Sequence, residues 1–430
     1  MKINLIIILS FLICSNDIYA EEDLNYYINK AINNNLKLNA ERKNFESAKQ
    51  NKNISRSEFL PSLSISGDQT STTSTNRKDQ NGLSLADSNT DTESTTISLE
   101  QKIFTGFKGI NTFKKSELET QKANLELKKV EQLTILETAS AYFDYIFKLK
   151  NEKFNISNVS LFERQVESDS ARLQKGEITL TDLAQSESSL AGANANLIKA
   201  KNELLSSKII FERVTGEKIP NSKIFDENVI LELPLTLSSS LELSRLNNIS
   251  LLISKLDYEI SEKNLNIERS RLSPTASIKV SKSENKDFSS SIDEKDDETV
   301  KATITWPIIK GGENISTIKK SSLDKQKAQL ILKDTNNKVA TNISNSWSKY
   351  QSSKSVLEAT KVQLKAAEIA NEGITLEYDS GSNRTTLEVI QSRSLLLEAR
   401  IAFAKAQRDF MVSMFELANQ IGTLSPKIIK

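Results

Sequence analysis

The chain repeats itself, and that duplication limits what it can fold into. Residues 114–128 lie over residues 319–333 at an offset of 205, with ten of the fifteen positions identical. The same offset carries Gly106 onto Gly311, Ile110 onto Ile315, Tyr142 onto Trp347 and Tyr145 onto Tyr350. Upstream the offset is 213: Asn34-Asn35-Leu36 meets Asn247-Asn248-Ile249, Phe45 meets Tyr258 and Pro61 meets Pro274. Downstream an offset of 206 carries Asp182 onto Glu388, Gln185 onto Gln391 and Gly216 onto Gly422. Similar helical composition alone does not keep prolines, glycines and their order together, so one structural unit is present twice.

Each unit reads helix, strand, loop, strand, long helix, turn, helix. Only 12 Gly and 6 Pro occur in 430 residues, well below the usual frequencies of roughly 7% and 5%, so turns are scarce and helices long. Residues 107–172 and 312–377 contain no proline, and each stretch predicts a helix of about 100 Å at 1.5 Å per residue. Shorter helices are expected over 24–58, 183–215, 238–272 and 387–420. Stacked end to end, 183–215 with 238–272 and 387–420 with the N-terminal helix would each match one long helix. Apolar stripes at three- and four-residue spacing (Leu118, Leu125; Leu190, Leu197, Leu204), with small residues such as Ala191 and Ala195 between them, predict coiled-coil packing. Period-two alternation marks strands at 59–66, 96–100, 276–280 and 300–306. The Ser/Thr-rich stretch to Glu93 and the acidic run 293–298 read as solvated loops.

The N-terminus reads as an export signal. Lys2, an apolar run over 3–13 and Ala20 before Glu21-Glu22-Asp23 predict cleavage after residue 20. An uncleaved anchor and lipidation at Cys14 are the alternatives, the latter opposed by Ile13 where a small residue is wanted. Histidine is absent and Cys14 is the sole cysteine, which removes Ser-His-Asp, Cys-His and His- or Cys-ligated metal chemistry. No nucleotide loop appears, and no carboxylate pair has catalytic spacing, so neither an enzyme nor a cofactor or metal is expected. The net charge of +1 leaves no general footprint for nucleic acid. No later segment is apolar enough for a membrane helix, so any membrane part must be built from strands. Four strands are too few to close a barrel, and open edges in lipid cost several kcal/mol per unpaired group, roughly. Three chains would supply twelve strands. Trp306, Phe104 and Phe107 at strand ends suit an interfacial aromatic girdle or, equally, packing against a helix end.

As an ordered set, these features resemble the TolC family of outer-membrane efflux proteins over nearly all of residues 22–422. The carriers are Leu60-Pro61-Ser62 and Ser273-Pro274-Thr275 at strand starts, and Gly106 and Gly311-Gly312 at strand-to-helix junctions. The paired hairpin tips, residues 176–182 and 381–390, complete the set. The resemblance implies a mainly α fold with a β-barrel section: a long coiled-coil tunnel across the periplasm plus four strands per chain, closing a 12-stranded barrel in the outer membrane as a homotrimer. It implies a passive exit duct for efflux or type I secretion, partnered by a periplasmic adaptor and an inner-membrane pump. The expected boundaries are a signal peptide at 1–20, a first repeat at 21–220, an irregular connection at 221–237 holding Pro234, a second repeat at 238–424 and a tail at 425–430. The alternative is a soluble periplasmic coiled-coil adaptor or scaffold.

Family members close the periplasmic end with an inward acidic ring in the second repeat, which falls here on Glu388 and Gln391. The family usually has Asp at both positions, so this chain keeps a charge on a longer stem at one and loses it at the other. A polar lock between hairpins falls on Thr181, Asp182, Tyr378 and Arg384, and the hairpin turns on Gly176 and Gly381. One extra residue lies between Gly381 and Glu388 relative to the first tip, which weakens the match at Tyr378. By residue type alone these positions are equally helix caps and surface residues; the resemblance gives them the gate.

Overall fold

A computed structural model describes residues 24–219, 229–289, 292–380 and 384–426. The expected cleavage site, Cys14, Pro220 and Gly381 lie outside the described residues. Eight α-helices and four strands are present among those described. The first half runs α1 (Leu24–Asn34), α2 (Leu36–Arg56), β1 (Ser62–Ser74), β2 (Ser88–Phe104), α3 (Lys108–Gln174) and α4 (Leu180–Thr215). The second runs α5 (Leu237–Asn247), α6 (Ile249–Arg269), β3 (Thr275–Ser289), β4 (Ile292–Thr305), α7 (Glu313–Asp379) and α8 (Thr386–Ile421). Corresponding helices match in length: 11, 21, 67 and 36 residues in both halves. The duplication read from the sequence is thus a duplication of structure.

Two expected helices are each broken in two. Asn35 and Asn248 leave the helical region (ψ 115° at both) and cap the next helix, accepting from the Leu38 and Leu251 N–H groups at 3.0 Å. Asn is favoured at this position because its side-chain oxygen satisfies a backbone donor that the first turn leaves free. A short 3-10 turn then ends each helix before the proline that starts the strand.

The expected stacking is corrected. The end of α4 meets the break between α1 and α2: the Asn34 amide donates to the Thr215 carbonyl at 3.5 Å. The end of α8 meets the break between α5 and α6, where the Asn248 amide donates to the Gln420 carbonyl at 2.7 Å. Each short helix therefore stacks within its own half, because its C-cap glycine fits against the Asn-Asn break of that half. Gly216 and Gly422 hold φ +70° and +88°. A Cβ on Gly422 would overlap the Asn247 carbonyl oxygen, and one on Gly216 would stand 2.8 Å from the Asn34 Cβ.

The main apolar core lies at this level. Tyr27, Ile135, Tyr142, Phe211 and Phe415 are fully buried there, and Phe211 is ringed by Tyr27, Tyr142 and Tyr145 at centroid distances of 4.9–6.0 Å. Gln132 donates to the carbonyls of Gly422 and Leu424 at 3.0 Å each, tying the chain's end into this core. Along the helices, half-exposed ion pairs such as Lys122–Asp257 and Lys325–Glu262 (2.7 and 2.8 Å) fix register more than they stabilise.

The strands form one antiparallel sheet in the order β1-β2-β3-β4. They are longer than the alternation suggests, and this is a second correction. Most of 67–93 is strand, leaving a loop of residues 75–87, and the acidic run 293–298 lies within β4. The outer half of the sheet is mainly polar on both faces, with Phe288 and Ile292 as exceptions at its end, so hydrophobic alternation fades while backbone pairing continues. β1 and β4 each pair with one strand only and leave two free edges. Among the described residues no helix is long and apolar enough to cross a membrane.

Candidate gate at the helix hairpins

Two hairpins, α3–α4 and α7–α8, turn at the end remote from the sheet. Each turn is followed by a reciprocal cap. In the first, Asp182 accepts from the Thr179 N–H and hydroxyl at 2.9 and 2.7 Å, while the Thr179 hydroxyl accepts from the Asp182 N–H. These bonds, the hydroxyl's first and then the backbone's, hold the Asp182 carboxyl below its ordinary range. In the second, Glu388 accepts from the Thr385 N–H and hydroxyl at 2.8 and 3.0 Å. Gly176 turns the first tip at φ +73°.

Arg384 bridges its own hairpin, with Nε 2.6 Å from Glu377 and Nη1 2.9 Å from Glu388. The Thr385 N–H and then Arg384 depress the Glu388 carboxyl. Gln391 follows one turn later, is exposed, and lines the same shallow groove as Glu388 against Gln363, Ala367 and Ala370 of α7. Thr181 is exposed. Within one chain, then, Asp182 and Arg384 each bond inside their own hairpin and do not meet.

Of the four positions expected to form a lock, Tyr378 is the one whose bonds cross between hairpins, and its partner is one the sequence reading missed. Its hydroxyl donates to Asp169 Oδ1 of α3 at 2.9 Å and shares a 3.1 Å bond with Thr386 of α8. Asp169 is fully buried and also accepts from Gln165 Nε2 (2.9 Å) and Ser186 Oγ of α4 (2.5 Å). The Arg172 guanidinium covers the Tyr378 ring at 4.6 Å while pairing with Glu177 at 3.2 Å. Burial pushes the Tyr378 phenol above its ordinary value, so it stays protonated and donates. A single polar cluster thus joins all four helices just inside the tips. One signal was available: the buried stripe of Val159 and Phe162 continues at helical spacing into Gln165 and Asp169.

At the other end, Trp306 is exposed but tethered, its indole donating to the Leu272 carbonyl at 3.1 Å, and Phe104 packs edge-on to Phe107 at 5.3 Å. One sheet face carries Leu63, Ile65, Ile97, Leu99, Val280, Val300 and Ile304, all exposed, while the other is mainly Ser and Thr. An amphipathic sheet with two free edges, joined to duplicated hairpins about 100 Å long, is one wall segment of a channel-tunnel.

Comparison with known proteins agrees. The sequence model described as outer membrane efflux protein matches residues 27–217 and 241–423, and the chain belongs to that family. It is similar to the outer membrane efflux protein BepC of Brucella suis, at 26% identity over 97% of this chain and 89% of that protein. It is also similar to the outer membrane protein TolC of Vibrio cholerae, at 23% identity over 86% and 84%. The fold matches the crystal structure of the Campylobacter jejuni CmeC outer membrane channel with a TM-score of 0.81 at 16% identity, covering 94% of this chain and 86% of that one. The protein is an outer-membrane efflux channel, with its sheet as the membrane part and its helices as tunnel wall in the periplasm. The soluble adaptor or scaffold finds no support.

Proposed function

We propose that three copies close a 12-stranded barrel and a common tunnel, gated at the hairpins, and that a periplasmic adaptor and an inner-membrane pump deliver cargo to it. The observation that carries this reading is the sheet: its apolar face needs lipid, and its free β1 and β4 edges need partners that one chain cannot supply. A second and a third copy satisfy both edges. Three Glu388 carboxylates then converge at the tunnel mouth and favour cations. Arg384, which bonds only inside its own hairpin within a chain, would reach Thr181 and Asp182 of a neighbouring chain, while Tyr378 and Asp169 hold each chain's own hairpins together. Cross-linking in isolated outer membranes tests the assembly: a ladder ending at three copies supports it, and a detergent-free soluble monomer refutes it. Capture of the cross-linked adaptor and pump by the same route identifies the partners.

A further inference from the structure

The register of the sheet places an unneutralised basic rung on its non-lipid face. Leu63, Leu99, Val280 and Val300 lie directly opposite one another and share one face. The adjacent rung, one residue along each strand, is Ser62, Glu100, Lys279 and Lys301. The pleat turns that rung to the opposite face, where Ser64 bonds Ser98 at 2.9 Å and Thr96 bonds Ser283 at 2.8 Å. Alternate residues of β2 on this face are the less exposed ones, so it is the concave side and the lumen of a closed barrel.

Other lysines on this face have partners: Lys295 pairs with Asp297 at 3.0 Å and Lys102 with Glu58 at 3.3 Å. Lys279 and Lys301 form no ion pair among the described residues. They stand directly opposite each other, an arrangement that destabilises a strand pair, and Glu100 is the single acid on their rung. A trimer would set six such lysines against three glutamates at one height. Apolar rungs flank that height on the outer face, so the ring lies at membrane depth, where a low-dielectric wall strengthens its field.

We propose that Lys279 and Lys301 form an anion-binding ring in the barrel lumen, a second selectivity element at the opposite end of the duct from Glu388, suited to multivalent phosphate or carboxylate groups. The inference rests on the trimeric-channel reading above. The test is conductance of the purified full-length trimer in planar bilayers, with inorganic tripolyphosphate added to one side at a time. Block is expected from the barrel side at concentrations at least tenfold lower than from the helical side. It should weaken as potassium chloride rises, since exposed charges are screened. The double variant Lys279→Gln/Lys301→Gln should lose barrel-side block at least tenfold, and Lys279→Arg/Lys301→Arg should retain it. Conducting channels without barrel-side block, or block that survives the double Gln variant, overturn the ring. A preparation that never conducts overturns the channel reading instead, and the ring falls with it.

Discussion

Removing one oxygen from the inter-hairpin cluster should open the channel. Tyr378→Phe keeps the buried ring beneath Arg172 but leaves Asp169 without one of its three donors. A hydrogen bond to a charged group contributes about 1.5–3 kcal/mol, and a buried acceptor left short costs a similar amount. The closed arrangement of each chain therefore weakens by roughly 2 kcal/mol relative to one in which the hairpins separate and Asp169 is hydrated. Since about 1.4 kcal/mol is a factor of ten in a population, open probability should rise at least tenfold, and more if three chains open together. The assay is single-channel recording in planar bilayers, paired with a double-mutant cycle. In an Asp169→Asn background the same Tyr378→Phe change should lose much of its effect, because the charge assistance has already gone. Open probability within twofold of the parent, or fully additive effects in the cycle, would show that this cluster does not hold the gate.

Further outcomes follow from other parts of the molecule. Glu388→Ala should abolish cation preference and block by multivalent cations with little change in opening; Gln391→Ala should alter neither, and reversal potentials check both. The depressed Glu388 carboxyl keeps its charge above its lowered pKa and loses it only as pH falls through that value. Cation preference should therefore persist below the ordinary glutamate range, and Arg384→Ala should move its loss to higher pH in a reversal-potential titration. Gly422→Ala forces a left-handed residue against the Asn247 carbonyl and should cost about 1–3 kcal/mol, read as a lower melting temperature of the purified protein; an unchanged melt refutes the packing argument. A cysteine replacing Asp79 in the 75–87 loop should label on intact cells and one replacing Glu177 should not, and the reverse pattern would invert the orientation.

The long helices were legible because nothing interrupts them: without Pro, the 3.6-residue period continues unbroken, and observed ends fall within three residues of those expected for α3 and α7. The strands were legible only where one face meets lipid. Beyond Ile65 and Val300 both faces are polar apart from Phe288 and Ile292 at the far end of β3 and β4, and pairing that depends on backbone alone leaves no alternation in residue type. The breaks at Asn35 and Asn248 were written as caps but lay inside an otherwise helical period. The cluster at Asp169 was hidden by distance, since it joins residues 17 and 209 positions apart. Of the tip positions carried over by resemblance to the gate, Asp182, Arg384 and Glu388 make caps and an intrahairpin ion pair set by the local turn, whereas Tyr378 bonds across to the other hairpin.

The matched helix lengths make the duct a ruler. Its periplasmic span is stored as helix length, about 100 Å for the 67 residues of each long helix, and two further columns run beside them, each a 36-residue helix stacked on a 21-residue one, so four columns in one chain must keep step. Lengthening the reach by two turns, about 10 Å, would require some seven residues added in all four places, or the tips would splay and the caps on Gly216 and Gly422 would slip out of register. The outer loop carries no such constraint, because a change there alters nothing downstream. Reach toward the inner membrane is therefore the dimension this architecture gives up last, while the outward mouth is free to change one residue at a time.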